Sequence, residues 1–471
     1  MAAQIARRIE EIVIRRGWPV GASLGSEDEL REQFGVSRSV LREAVRLLEH
    51  HQVARMRRGP NGGLIISAPD AGPAAWAMVI YLEYRGTSVA DLIRARLLLE
   101  PIAAGLAADL ITEEGIGTLR SALDEEYDHL TDPGIWPNDP VHTLLGRLSG
   151  NPVLHLFIDV LARLTTRYAF MSRTISDAEV DGAKHHSHDA HRAIAEAVIA
   201  GDSARAQVAL TAHLESLAAW VGDSQVSRAD IPITGAVIDP DTAGQPRAKF
   251  AEVLASRIRD DIAANGWHVG AVLGSETELL ARYGVSRAVL REAVRLLEYH
   301  SVARMRRGPG GGLVVAEPEP QASVDTMALL LEYQGVTADD FRVARNAVEL
   351  GIVDSVIARL AEDGAEATDG LGDAVRWPTE GPAGDSRKAD RFHLELAALA
   401  GNPVLSLFLS IIIELFRRHA TGEDPGLPGD QAAGEVENVH GLILDAIRQG
   451  DVGVARHRMR RHLDALMPWW H

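Results

Sequence analysis

The chain has 471 residues, of which 46% are apolar and none is cysteine. This composition predicts folded cores and excludes disulfide bonds and thiolate metal sites. The formal net charge of −18 would by itself argue against a nucleic-acid partner. The N-terminus has no signal-peptide core, and no run approaches the roughly 18 consecutive apolar residues of a membrane helix, so we expect a soluble, cytoplasmic protein with no membrane partner.

One segment of the sequence occurs twice. Residues 26–49, SEDELREQFGVSRSVLREAVRLLE, return at 275–298 as SETELLARYGVSRAVLREAVRLLE, with 18 of 24 positions identical and an offset of 249 residues. The chain is therefore predicted to be two tandem copies of one unit. Residues 223–246 contain three prolines and no helical period, and we interpret them as the linker between the units.

Each unit begins with the pattern of three short helices. The first is amphipathic, at 5–17 and again at 250–266, and a Gly-Trp pair follows each. The second begins at an S-x-x-E capping box, Ser26 or Ser275, and ends at a glycine. The third runs from Ser37 to about Glu49, with its equivalent in the second copy. Strand-like runs around a Gly-rich tip, at 53–67 and 302–316, predict a β-wing after it.

The third helix has two distinct faces. Apolar residues recur at i, i+3, i+4 and i+7 on one face, and Arg38, Arg42 and Arg46 follow each other at i+4 steps on another. Between residues 31 and 58 seven arginines stand against three glutamates, so this module is locally basic on an acidic chain. Arginine pairs two donors with guanine in the major groove. The pattern favours a DNA-reading helix-turn-helix over a merely solvated charged face.

The remainder of each unit is predicted to be helical, with apolar residues at helical spacing. The motif GNPVL opens the same buried helix at 150–164 and 401–416. We therefore expect a mainly α protein, with two winged helix-turn-helix domains and two all-helical bundles. The predicted boundaries are 1–68 and 247–317 for the winged domains, and 73–222 and 322–471 for the helical domains.

Histidines persist at matched positions in the two helical domains. They are His142, His191 and His213 in the first copy and His393, His440 and His462 in the second, and the last two of each set lie 22 residues apart. A lone helical histidine is usually a packed side chain, but three retained in both copies favour a function. Neutral imidazole is a ligand for divalent zinc, nickel or manganese, so we predict a metal site in each domain.

The sequence GVSRSVLREAVRLLE with the preceding SEDEL resembles the GntR family of bacterial transcription regulators, in its FadR-like branch with an FCD effector domain. The resemblance covers both units. It implies base contacts from the recognition-helix arginines and close approach of the wing glycines to the minor groove. One departure is that the arginine usual directly after the Ser-Glu pair is replaced by Asp28 and Thr277. The predicted DNA-binding residues are Ser37, Arg38, Arg42, Arg46, Arg58, Gly62, Gly63, Ser286, Arg287, Arg291, Arg295, Arg307, Gly311 and Gly312.

The resemblance also implies a metal held by one aspartate and three histidines, with an effector carboxylate completing the shell. The family aspartate generally lies four residues before the first histidine, where this chain has Asn138 and Ala389. The nearest carboxylates are Asp139 and Asp390, three residues before, which is still one helix face. We include both as predicted ligands, although Asp139-Pro140 also fits a helix start.

A further pair is Arg96 with Glu100, repeated as Arg345 with Glu349. The simplest interpretation is an i,i+4 ion pair. The family resemblance implies that Arg96 and Arg345 reach the effector pocket and hold an anion.

These observations predict a transcription regulator, not an enzyme, that binds an imperfect inverted-repeat operator in double-stranded DNA under control of a small carboxylate effector. The duplication predicts an intramolecular pseudo-dimer, with a further homodimer left open. A DNA-tethered metalloenzyme and an effector-independent DNA-binding scaffold are the alternatives. The first lacks an H-E-x-x-H-type general base, and the second would bind DNA without sequence preference.

Overall fold

The computed structural model describes most of the chain. The described residues are 1–57, 59, 62–69, 71–130, 140–171, 177–222, 247–299, 301–308, 310–318, 320–363, 371–375, 390–420 and 430–470. The predicted linker, Arg58 and Asp139 lie outside them. Within this described part, no helix is both long and apolar enough to cross a membrane.

Winged-helix domain 1 contains helices α1 (Ala2–Arg15), α2 (Glu27–Phe34) and α3 (Arg38–His50) and strands β1 (Ala54–Arg57) and β2 (Gly63–Ile66). The predicted capping box forms, because Ser26 accepts from the Glu29 amide and Glu29 accepts from the Ser26 amide. Helix α2 ends at Gly35, whose φ of 62° only glycine adopts without strain. Strands β1 and β2 pair antiparallel as the predicted wing.

Helical domain 1 follows with seven helices in the part that the structure describes, and their packing places the first histidine set in its interior. They are α4 (Ala71–Tyr84), α5 (Val89–Leu110), α6 (Glu113–Asp128), α7 (Pro140–Leu148), α8 (Pro152–Met171), α9 (Asp177–Ile199) and α10 (Ser203–Gly222).

Winged-helix domain 2 repeats the first with one addition. It contains α11 (Arg247–Ala264), β3 (Val272–Gly274), α12 (Glu276–Tyr283), α13 (Arg287–Tyr299), β4 (Ala303–Arg306) and β5 (Gly312–Val315). The sheet order is β3-β5-β4. The sequence analysis missed β3, because three residues before a helix cap carry no alternation to detect. In domain 1 the same edge is a single bridge between Ser23 and Ile65.

Helical domain 2 has the helices α14 (Pro320–Tyr333), α15 (Ala338–Asp363), α16 (Leu371–Val375), α17 (Arg391–Leu399), α18 (Pro403–Ala420), α19 (Asp430–Arg448) and α20 (Val452–Leu466). A short 3₁₀ turn, Met467–Trp469, follows α20. The prediction of a mainly α fold with small antiparallel wings, duplicated along the chain, is confirmed.

The two helical domains share one apolar core. Phe157 of α8 stacks on Phe408 of α18 with ring centroids 3.9 Å apart. The contacts are reciprocal. The side-chain amide of Asn151 donates to the backbone carbonyl of Asp340, and the side-chain amide of Asn402 donates to the backbone carbonyl of Asp91. Equivalent residues of the two units thus make equivalent contacts, as expected for an approximate two-fold axis within one chain.

The winged-helix domains dock in a crossed arrangement. The core of winged-helix domain 1 includes Leu329 of α14, whereas that of winged-helix domain 2 includes Ile80 of α4. Helices α4 and α14 in turn pack on α8 and α18 of their own helical domains. Each winged-helix domain is therefore seated on the helical domain of the other unit.

The two docking interfaces differ in charge. At the first, Arg7 pairs with Glu414 at 2.9 Å and Arg418 with the buried Glu10 at 3.3 Å. At the second, Arg259, which occupies the position equivalent to Glu10, lies 3.4 Å from Glu83. The position of Glu10 in the first interface therefore carries the opposite charge, as Arg259, in the second.

Candidate functional site

The first histidine set gathers in the interior of helical domain 1. His142 comes from α7, His191 from α9 and His213 from α10, and all three are buried. The Nε2 atoms of His142 and His191 are 3.1 Å apart, and the His191 and His213 ring centroids are 4.8 Å apart. We call this cluster the first triad; each ring has a possible ligand atom within 4.8 Å of the others.

The second histidine set forms the same arrangement in helical domain 2. His393 of α17, His440 of α19 and His462 of α20 are buried and define the second triad. The Nε2 atom of His462 lies 3.2 Å from that of His393 and 3.1 Å from that of His440. Three nitrogens thus converge on one point in each domain.

A buried carboxylate supports the first histidine of each triad. Nδ1 of His142 donates to Glu100, and Nδ1 of His393 donates to Glu349. Burial alone would raise the pKa of Glu349, but the charges of His393 and Arg345 hold that pKa at about 2. The pKa of Glu100 is lowered too, because Arg96 and His142 outweigh its burial. Both carboxylates are therefore ionised acceptors.

The protonation pattern of the triads suits a cation. A histidine whose Nδ1 donates to a carboxylate has a lone pair on Nε2 unless it carries a second proton. In the second triad, burial lowers the pKa of His440 and brings that of His462 to about 3, with the neighbouring positive charges adding to both shifts, so these two rings are neutral. The Nε2 atoms of the second triad lie within hydrogen-bond distance of one another, and a divalent metal would coordinate them in place of these contacts.

Of the two predicted aspartate ligands, the structure describes Asp390, and Asp390 is not part of the second cluster. Among the described residues, the second triad contains only its three histidines. Asp390 instead accepts from Arg417 Nε at 2.8 Å, and its burial raises its pKa against the charge of Arg417. Asp139 lies outside the described residues. Ligation by either aspartate stays a prediction.

The supporting role of Glu100 and Glu349 was not predicted from the sequence. Both residues were predicted as ion-pair partners of Arg96 and Arg345, and the structure does contain those pairs, with Nε to Oε1 distances of 2.5 and 2.7 Å. Each carboxylate bridges the arginine and the histidine. Their recurrence 249 residues apart, the offset that also separates His191 from His440 and His213 from His462, was the available signal.

One nitrogen of the Arg345 guanidinium is a buried hydrogen-bond donor that no acceptor among the described residues satisfies. Its side chain lies between the rings of Phe341 and Phe416, 5.7 and 5.1 Å from their centroids. Its Nη1 is buried and has no hydrogen-bond partner among the described residues. A buried guanidinium nitrogen without an acceptor is costly, and an anionic ligand would satisfy it.

The recognition-helix arginines are exposed and held by one glutamate in each winged domain. Arg38 and Arg42 donate to Glu27, at 2.9 and 3.0 Å. In the second domain Arg287 and Arg291 lie 3.3 and 3.2 Å from Glu276. Exposed pairs of this kind contribute about 0–1 kcal/mol each, so phosphates and bases can displace them.

The other predicted DNA-binding side chains that the structure describes are exposed. Arg46 and Arg295 pair with Glu43 and Glu292 at 3.1 and 3.0 Å and remain exposed. The caps Ser37 and Ser286 accept from the amides of Val40 and Val289, and Arg307 is exposed. At the departure from the family pattern, Asp28 accepts from Arg31 at 3.0 Å.

The wing glycines have a structural reason of their own. A Cβ on Gly63 or Gly312 would lie 2.7 or 2.4 Å from the carbonyl oxygen of Gly25 or Gly274, so the sheet edge itself requires glycine there. A Cβ on Gly311 would meet the Arg306 carbonyl at 2.3 Å. The amides of Gly62 and Gly311 close the tips by donating to Gly59 and Gly308. DNA contact by these glycines stays a prediction.

This fold and site define a DNA-binding regulator with winged-helix readers and helical ligand-binding domains. The sequence matches the family model "Bacterial regulatory proteins, gntR family" at 1–61 and 250–313, and the model "FCD domain" at 91–216 and 340–465. The chain belongs to the GntR family of bacterial regulatory proteins, and carries its winged-helix and FCD domains twice.

Similar proteins are transcription regulators about as long as one unit. The HTH-type transcriptional repressor NanR of Enterobacter sp. (strain 638) is 26% identical over 233 residues, which are 48% of this chain and 88% of that protein. NanR of Cronobacter sakazakii is 27% identical over 232 residues, 48% of this chain and 87% of its own length. A solved GntR structure from Streptococcus agalactiae is 28% identical, covers 46% of this chain and 98% of its own, and has a TM-score of 0.35. The chain is a DNA-binding transcription regulator, and the prediction that it is not an enzyme is confirmed.

Proposed function

We propose that this regulator binds its operator under control of a small carboxylate effector, and that each triad holds a divalent metal, zinc, nickel or manganese, within the effector site. The observation that carries the proposal is the convergence of three buried imidazole nitrogens in each helical domain. Imidazole nitrogens are common ligands of divalent metals, and one cation would be shared by all three rings of a triad.

The residues around the second triad fit both the proposed metal and the proposed carboxylate effector. A bound metal would supply an electrophilic centre with positions left for a ligand oxygen. His393, His440 and His462 would hold it, and Glu349 orients His393. The unpartnered Nη1 of Arg345 would then take the remaining carboxylate charge of the effector.

The end of α18 links the surroundings of this site to winged-helix domain 1. Within residues 414–418, Phe416 lies over Arg345 and Arg417 pairs with Asp390. The neighbouring Glu414 and Arg418 pair with Arg7 and Glu10 of the docked reader. In our proposal an effector that engages Arg345 shifts this segment and thereby the seat of the reader, which changes its affinity for DNA.

The two readers would work as a matched pair. Crossed docking seats them on a shared helical core, so one chain would act as an intramolecular pseudo-dimer on an imperfect inverted repeat in the cytoplasm. The relatives are repressors by name, so we propose that effector binding releases the operator. The proposal keeps the domain boundaries predicted from the sequence, 1–68, 73–222, 247–317 and 322–471, with 223–246 as the linker.

The test uses the full chain, first loaded with metal and then stripped with a chelator. Affinity for a selected operator is measured against a panel of small mono-, di- and tricarboxylates. We expect at least one acid to change the affinity tenfold or more with metal, and not without it. Arg345→Ala should lose the response, whereas Arg359→Ala, on the same helix, should keep it. Binding that is indifferent to sequence and to every acid would instead support the scaffold alternative.

A further inference from the structure

We infer that the two triads are unequal metal sites and that the first binds the metal more tightly, because Glu126 supports one of its ligands. This inference rests on the proposed metal and adds residues that neither the sequence pattern nor the family domain assigns. It concerns differences between the two halves of this chain, which a homodimer of identical units cannot have.

In the first triad, two ligands are oriented by carboxylates. Nδ1 of His142 donates to Glu100, and Nδ1 of His191 donates to Glu126 Oε1 at 2.7 Å. The other oxygen of Glu126 accepts from Nδ1 of His188 at 3.0 Å. Glu126 comes from α6 and is buried, so it is fixed between two histidines of α9.

Among the described residues, only one ligand of the second triad has this support. Glu349 accepts from His393. His440, the equivalent of His191, stacks on Phe392 with ring centroids 4.3 Å apart and approaches His462 through Nε2. Among the described residues, no carboxylate accepts from its Nδ1. The position 249 residues beyond Glu126 is Val375, in α16, whose side chain lies beside Gly441.

The difference has a direct consequence for affinity. A carboxylate on Nδ1 fixes the tautomer that leaves Nε2 free to coordinate, and it makes that nitrogen a better donor to the metal. Phe392 holds the plane of the His440 ring but does not decide which nitrogen carries the proton. Removing such an outer partner typically costs about 10- to 100-fold in metal affinity. We therefore expect the first triad to bind the metal more tightly by a factor of this size.

The experiment titrates the metal-free full chain with Zn²⁺ against a chromophoric chelator. We expect two binding constants separated by about 10- to 100-fold. His191→Ala should remove the tight step and His440→Ala the weak one, which assigns the steps. Glu126→Gln, which keeps the side-chain shape, should bring the tight constant close to the weak one. His185→Ala, an exposed change on the same helix α9, should preserve the separation.

Two equal constants in the unaltered chain would overturn the inference, as would a tight step removed by His440→Ala. An unchanged tight constant in Glu126→Gln would overturn the role of Glu126. Melting of the metal-free Glu126→Gln protein shows whether the variant folds, and the assignment by the two alanine variants stands without it. Failure to bind Zn²⁺ at all would refute the proposed metal sites together with this inference, whereas equal constants leave the proposed function intact.

Discussion

Trp18 lies edge-on against Tyr333, with ring centroids 5.3 Å apart, although the two residues belong to opposite halves of the chain. The equivalent pair, Trp267 with Tyr84, repeats the contact at 5.8 Å. Both tryptophans also donate their indole N–H to the backbone after the wing, at Ser67 and Ala316. In each winged-helix domain, one tryptophan thus contacts both the end of the wing and the first helix of the other unit's helical domain.

The crossed docking predicts a measurable coupling between these residues. We expect a double-mutant cycle on Trp18→Ala and Tyr333→Ala to give about 0.5–1.5 kcal/mol, the usual range for an aromatic pair. The readout is hydrogen exchange within winged-helix domain 1. A matched cycle of Trp18 with Tyr84, the partner that uncrossed docking would give, should show no coupling. The reverse result would mean that each reader docks on its own unit.

The exposed arginines of the recognition helices are expected to be required for recognition of the operator sequence. Replacing Arg38, Arg42, Arg287 and Arg291 by alanine should abolish specific footprints, because each good bidentate contact to guanine contributes about 1–3 kcal/mol of discrimination. Arg120→Ala, an exposed change on α6, serves as the control and should leave the footprint intact. A footprint that persists in the quadruple variant would remove these residues from the DNA interface.

The triads predict that metal stabilises the helical domains. A metal that binds only the folded state raises the melting temperature by mass action, so His440→Ala and His462→Ala should lose metal and part of that stabilisation. His457→Ala, an exposed histidine on the same helix as His462, should retain both. Metal analysis and thermal melting decide the matter. Equal metal content in all the variants would contradict the assignment.

The near identity of the two recognition helices predicts the symmetry of the operator. Between residues 37 and 49, the recognition helix of winged-helix domain 1 differs from that of winged-helix domain 2 only at Ser39, whose equivalent is Ala288. We therefore expect selection from a random DNA pool to recover an imperfect inverted repeat of one half-site. The shared helical core holds both readers in one chain, so neither has to wait for a second molecule. Recovery of two unrelated half-sites would show that the readers do not act as a matched pair.

The first docking interface predicts a pH dependence. Burial raises the pKa of Glu332 to about 7; Arg418 opposes this shift, and Glu10 and Glu414 reinforce it. A carboxyl whose folded pKa is raised holds its proton more tightly when docked. Docking should therefore weaken as pH rises from about 4.5 to about 7 and then level off, by about 1.4 kcal/mol per unit at most. Hydrogen exchange of domain 1 across this range measures the effect. Glu332→Gln should flatten the profile, and an unchanged slope in that variant would assign the dependence to other groups.

The sequence by itself determined the local elements and the repeat. Capping boxes at Ser26 and Ser275, the left-handed glycine at Gly35 and the wing pattern are set by neighbours along the chain, and the structure confirms them. The histidines could be selected because the duplication offered a second copy of each position. Short-range periodicity and repetition are visible in one dimension.

Only the tertiary structure decided which distant groups meet. Glu126 and His191 are 65 positions apart, and Arg418 lies 408 positions from Glu10, so no helical or strand period connects either pair. The crossed docking is equally invisible in the sequence, because both readers have the same apolar seat and either arrangement satisfies the pattern. Packing of the shared core fixes the two helical domains against each other, and that placement determines which unit each reader contacts.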